Sequence, residues 1–558
     1  RGTTFIKANT ATGNLAIGTD AALNQQGASC VAIGVLAGCG DQGANSVAVG
    51  ISAGQTSQGS TATAIGKEAG LNQQGVNAVA IGHLAGCADQ GVQAIAIGAS
   101  AGLNAQEDNA VAIGVFAGCG DQGTGAVAVG NSAGKTSQGT SSVAVGVNAA
   151  LNAQGNNSVA VGRNAGKTDQ GAQSVAIGYD AGCVAQGTEA VAIGLKAGFN
   201  AQGADTVAIG NKAGCADQGA NTVAIGRLAG CAAQGDQSVA IGYRAGLNAQ
   251  SANSISIGYD AGCVDQGTES VAIGYEVGRN SQGSHSVAIG TEAASNSQGD
   301  DSVAIGNRAG ANQQGATSVA IGYQCGCGDQ GANSVAIGRD AGSASQGGSS
   351  VAVGHFAGLN AQGDSSVAIG TQAGKTDQGT NAVAIGNASA QTSQGNYATA
   401  VGEQSGLNAQ GTYATAVGYL AGSASQGISS VAMGHYAGRD DQGASSVAIG
   451  HFAGGQSQSG SSVAIGINAA WNAQGANSTA VGNAAGNQGQ GGSSVAVGVN
   501  AAYLSQGGSS VAVGAEAGHN SQGPISVAVG YRAGRDDQGS NSVAVGRESG
   551  YVSQGAQS

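Results

Sequence analysis

The fold class predicted for this chain is an all-β parallel β-solenoid of about 34 coils of 16 residues, and three observations predict it. A Gly closing an SVAIG-like segment returns at Gly18, Gly34, Gly50 and onward to Gly546 in uninterrupted steps of sixteen, the mark of a stacked repeat. Among 558 residues there are 105 Gly, one Pro and only 3% aromatics, and the 41% hydrophobic share comes mostly from Ala, Val and Ile. Such a composition suits thin repeated layers rather than a thick core. Finally, helix is excluded because each Gly costs about 1 kcal/mol in a helix interior and no 3.6-residue apolar stripe survives.

Numbered from its Ser, the repeat reads S-V-A-I-G-x-x-A-G-x-x-x-Q-G-x-x, as in Ser46 to Thr61 or Ser302 to Thr317. Positions 1 to 5 predict one strand, with β-branched residues at 2 and 4 on one face and Ser, Ala and Gly on the other. Positions 10 to 13 predict a second strand, and the Gly-rich stretches between are turns where positive φ is cheap. No linker interrupts residues 14–558, which read as one continuous solenoid. Residues 1–13 depart from the pattern, with Phe5 and Ile6 where Ala-Gly is due, and read as a degenerate capping coil. A start at Arg1 and a last coil that stops at Ser558 suggest a processed or partial chain.

Position 3 is Ala in every coil but the one holding Ser256, so both faces of the first strand are apolar. One face closes on the coil's own interior, and the other is expected to meet an identical strand of a neighbouring chain. Position 13 is Gln throughout, at Gln26, Gln42, Gln58, Gln250, Gln266, Gln554 and every copy between. Constancy beside drifting neighbours predicts an internal ladder, each amide bonding to those above and below. Residues at 10 and 12 vary together, as in Lys167 with Asp169, and an i, i+2 pair on a strand places them on one outer face. Stacking is energetically required. Ordering sixteen backbones costs at least about 16 kcal/mol, against roughly 6 from burying Val, Ile and two Ala and roughly 10 from net hydrogen bonds. Stability must accumulate between neighbours, in a stack of about 160 Å at ~4.8 Å per coil.

This SVAIG strand, followed by Ala at position 8, a Gly turn and another SVAIG strand, resembles the YadA-like head repeats of trimeric autotransporter adhesins, with similar β-rolls in viral and phage fibres. The resemblance places Val47, Ala48, Val49 and Gly50, and their equivalents in every coil, in the family's strand. It implies a left-handed parallel β-roll, a homotrimer, and display as a rigid fibre or adhesin head on a cell or virion surface. The repeat here is longer than the family's usual one, and the Gln-Gly at positions 13 and 14 is not its hallmark.

Composition narrows the partners. A net charge of −13 with only 9% charged residues offers no basic stripe for nucleic acid. No run of 18 apolar residues occurs, so no membrane insertion is expected. Catalysis needs nucleophile, base and acid gathered together, yet the six His stand on separate coils, and the chain is read as a non-enzyme without cofactor. His435 and His451 fall in register, but two ligands without a carboxylate neighbour make a poor metal site. Eight of the ten Cys occupy position 10. Free thiols are expected, although Cys215 and Cys231, in register one coil apart, are near enough for a disulfide and form the candidate thiol pair; Cys325 and Cys327 share a face, and both pairings would strain strand geometry. Aromatics fall on edges, and Tyr243, Tyr259 and Tyr275 stack at position 6 of three successive coils. They form ordinary ladder packing or an outer strip for a sugar or partner. The expected function is thus a structural surface fibre that assembles with itself, the alternative being an adhesin head binding a host surface or glycan through its outer face.

Overall fold

The structure, a computed structural model, describes residues 5–558. The chain divides into two compact units, residues 1–281 and 282–558. Each is built of parallel coils, and among the described residues there is no helix. The thirty-four sequence copies make about thirty-three complete turns, since Gly18 and Gly546 are separated by thirty-three steps of sixteen.

In the first unit the strand Asn14–Gly18 is flanked on one side by Phe5–Asn9, which runs antiparallel to it with Lys7 opposite Ala16. Of the segment 1–13, the first four residues lie outside the described residues. On the other side the coils begin, parallel and in register: Leu15 lies over Val31, Val31 over Val47, and Val47 over Thr63. The second unit repeats the arrangement, from Val287 over Val303 to Val527 over Val543.

Every coil carries a first short strand and most carry a second, while at Gln26, Gln90, Gln106, Gln314 and Gln426 the second is reduced to an isolated bridge. The first spans positions 2 to 4, as in Val47–Val49, rather than 1 to 5. It stops there because Gly50 takes φ 136°, a region closed to side chains. A Cβ on Gly34 would be driven into the carbonyl oxygen of Gly50 one coil on, and the same holds down this column. The second strand covers positions 11 to 13, as in Asn152–Gln154, or only 12 and 13, as in Asp41–Gln42. At position 12 the backbone is often left-handed, with φ 43° at Ala153 and 52° at Asp169. That kink departs from the extended i, i+2 alternation, and at positions 10 and 12 Lys167 is half-buried and Asp169 exposed.

The bore of the coil is narrow. Ala32, Ala37 and Gln42, at positions 3, 8 and 13, are at most 3% exposed, and Ser46 at position 1 is buried with its hydroxyl donating to the Gly43 carbonyl at 2.6 Å. Ala methyls and one Gln per turn fill this interior. Strand alternation therefore turns Val and Ile at positions 2 and 4 outward, where they are half-exposed, for example Ile65 at 38% and Met433 at 42%.

Candidate functional site

The glutamine column forms hydrogen-bonded ladder segments, interrupted where an Oε1 such as that of Gln186 or Gln202 accepts from no neighbour. Gln26 Nε2 donates to Gln42 Oε1 at 2.9 Å and Gln42 Nε2 to Gln58 Oε1 at 3.0 Å. From Gln42 onward the amides also reach backbone carbonyls, as where Gln250 Nε2 donates to the Val239 and Ser254 oxygens at 2.9 and 3.2 Å. Gln266 does the same toward Ile255 and Ser270 at 3.0 and 3.4 Å, and Gln554 toward Val543 at 3.0 Å. Ser256, the one departure from Ala at position 3, donates to Gln266 Oε1 at 2.5 Å, so its hydroxyl joins the ladder rather than standing unsatisfied. This column sits inside the coil and is unavailable to a partner.

Two outer features remain. One is the stripe of half-exposed Val and Ile running through each unit. The other is the corner after the first strand, where positions 6, 7 and 10 project. In the first unit Tyr243, Tyr259 and Tyr275 stack there with ring centroids 5.0 and 5.1 Å apart. Arg227 lies over the Tyr243 ring at 5.7 Å, and Arg244 pairs with the buried Asp260 at 3.4 Å. Tyr259 and Tyr275 remain 43% and 48% exposed.

The second unit holds a denser cluster that reading column by column passed over. Tyr419, His435 and His451 stack at position 6, and Tyr436 and Phe452 stack at position 7. Trp471, at position 10, meets Phe452 edge-on at 4.5 Å. The signal was present in the sequence: rings recur at both positions 6 and 7 on consecutive coils, and Gly455 stands at position 10 just before Trp471. A Cβ on Gly455 would lie 2.6 Å from the indole, so the glycine makes the seat the indole occupies. The His435 and His451 imidazoles are 4.9 Å apart and parallel within 3°. Among the described residues no three His, Cys, Asp or Glu side chains gather where they could hold a metal ion.

At the far end of the second unit, Glu516 accepts hydrogen bonds from Arg532 and Arg535, both at 2.9 Å. The Arg532 bond first, then that of Arg535, holds the Glu516 carboxyl below the usual carboxylate range. Tyr419 is raised above the ordinary phenol range by its hydrogen bond with Tyr436.

Cysteine chemistry is quiet. Cys215 and Cys231, with Cα atoms 4.7 Å apart on adjacent coils, are joined as a disulfide, while the other eight remain free. The expectation of free thiols therefore fails at this pair, where in-register stacking brings two position-10 side chains together. Cys325 and Cys327 stay unbonded. Burial pushes the Cys325 thiol up to about 12 and also raises Cys183 and Cys263, leaving little of the thiolate a nucleophile needs. Among the described residues no helix is long and apolar enough to cross a membrane.

Against known proteins, the model described as "YadA head domain repeat (2 copies)" matches the chain at residues 137–165, 170–197, 233–261, 281–309 and 297–324. These windows touch both units. No curated protein matches the chain.

Proposed function

From the YadA head repeats that the chain carries, we propose that it is an adhesin-like surface protein: a non-enzymatic, left-handed, homotrimeric fibre displayed outside a cell or virion. The observation that carries this reading is the outward stripe of Val and Ile. Two half-exposed β-branched side chains on coil after coil amount to far more contiguous apolar surface than a solitary soluble protein exposes. Their partner must be flat, long and equally periodic, and a second copy of the same stripe has those properties. Three such chains closing on one axis leave the corner of positions 6, 7 and 10 facing outward. Supporting the absence of catalysis are the burial-raised thiols and histidines that stand one to a coil. Net charge disfavours nucleic acid as partner.

Sedimentation equilibrium of the purified chain should return three chain masses. Val351→Asp combined with Ile369→Asp should dissociate the assembly, since charges would be buried unpaired in the stripe. A monodisperse monomer for the unsubstituted chain would overturn the trimer.

A second reading, attachment to a host surface or glycan, is favoured by the ring columns on the outer corner, among them Tyr243, Tyr259 and Tyr275. Adhesion of immobilised protein to glycan-coated surfaces, compared before and after alanine substitution of these rings, separates a binding head from a passive spacer.

A further inference from the structure

We propose that the aromatic corner between Tyr419 and Trp471 is a binding platform for a neutral pyranose chain lying along the coil stack, an inference that rests on the outer-face attachment reading above. The rings are shingled in two columns nearly at right angles: His435 meets Tyr436 at 89° and His451 meets Phe452 at 83°, with centroids 4.3 Å apart in both pairs. Successive rings within a column are 4.8 to 5.3 Å apart, a spacing close to the length of one pyranose unit. A sugar chain running along the corner would therefore meet a ring edge at each residue.

Polar groups frame the rings. Arg439 lies over Tyr436 at 5.5 Å and Trp471 at 6.0 Å, while its Nε and Nη2 donate to Asp440 Oδ2 at 2.9 and 2.5 Å. A planar donor group beside a carboxylate acceptor suits vicinal hydroxyls, and the outward ring edges, with the face left open at the end of each column, suit the apolar C–H surface of a sugar. The seat is specifically built, since Gly455 gives up a side chain so that the indole can lean on Phe452.

Two other occupants fit less well. A second copy of this chain needs about 800 Å² of contact per partner, whereas the ring cluster spans only four coils, about 20 Å of stack at most. An acidic polysaccharide would be repelled by a chain of net charge −13.

Trp471 is the single tryptophan in the chain, so its emission reports on this platform alone. The full-length chain is titrated with neutral hexasaccharides of β-1,4-glucose, β-1,4-N-acetylglucosamine and α-1,4-glucose. The expected result is a saturable shift of Trp471 emission with at least one of them. Gly455→Ala, which displaces the indole, should weaken binding at least tenfold, and Trp471→Ala should abolish it by calorimetry. Tyr397→Ala, on a separate stacked pair at position 16, should leave it unchanged. No saturable shift across the panel with circular dichroism intact overturns the proposal, as does equal binding by Trp471→Ala. An emission change that depends on protein concentration without sugar also overturns it, in favour of a second copy. A chain that sediments as a monomer yet still titrates removes the trimer and retains the platform.

Discussion

Replacing Gln122 by Glu tests the interior ladder with almost no change of shape. Gln122 is 0% exposed. Its Nε2 donates to the Val111, Ala126 and Gln138 oxygens at 2.8, 3.2 and 3.1 Å, and its Oε1 accepts from Gln106 at 3.1 Å. In Gln122→Glu the donor becomes an oxygen facing acceptors. Protonated, the carboxyl can restore one of these three donated contacts and loses those made by the amide's second hydrogen, a cost of about 1 to 2 kcal/mol. Ionised, it would place an unpaired charge against carbonyls, so its folded pKa rises well above the unfolded value of about 4.3. A group whose pKa is raised on folding is tolerated below the unfolded value, and stability is lost as pH climbs toward the folded one. The loss is about 1.4 kcal/mol per pH unit. The variant should therefore be about 1 to 2 kcal/mol less stable than the parent at pH 4 and about 5 at pH 7. Urea unfolding followed by circular dichroism at both pH values measures the difference. A penalty that stays the same at pH 4 and pH 7 would show that this side chain meets water, and the ladder would not be interior.

Three further outcomes follow from the same geometry. Gly34→Ala forces a side chain into φ 138° and onto the Gly50 carbonyl, so a loss of at least about 3 kcal/mol is expected; a melting temperature within a degree of the parent would refute the tight stacking of this column. Glu516 has a folded pKa below its unfolded one, so its contribution is present above about pH 4 and lost as pH falls through the folded value. As a half-exposed pair it is worth under about 1 kcal/mol, and the small gap in melting temperature between parent and Glu516→Gln at pH 6 should narrow as pH falls below about 4. Maleimide labelling of denatured protein without reductant should modify the eight free cysteines and, after reduction, Cys215 and Cys231 as well; labelling of all ten before reduction would contradict the bridge.

Periodicity made the coil legible, because a sixteen-residue step without insertion leaves no freedom in register. Which apolar face turns inward was not legible. Val-Ala-Ile is apolar on both sides, and the choice is made by the bore, which has room for Ala methyls and one Gln amide but not for two β-branched side chains per turn. Turn chemistry also escaped composition. Left-handed backbone was read from glycine, yet Leu36, Phe116 and Tyr436 at position 7 adopt φ near 58°. Their amides are fixed by bonds between coils, such as Leu36 N to the Thr19 oxygen at 2.9 Å. Such bonds override a local penalty of about 1 to 2 kcal/mol. Among candidate contacts, the tyrosines at 243, 259 and 275 were visible as one column. The cluster around Trp471 needs two columns and a missing side chain at Gly455 to be seen together.

The central claim is that each residue stands over the one sixteen positions on, and X-ray diffraction from an oriented gel of the protein tests it most directly. Stacked coils predict a strong meridional reflection at about 4.8 Å, along the axis on which the coils stack. A 4.8 Å spacing found only on the equator, or none at all, would mean that strands do not stack along that axis, and the coil-on-coil account would be wrong.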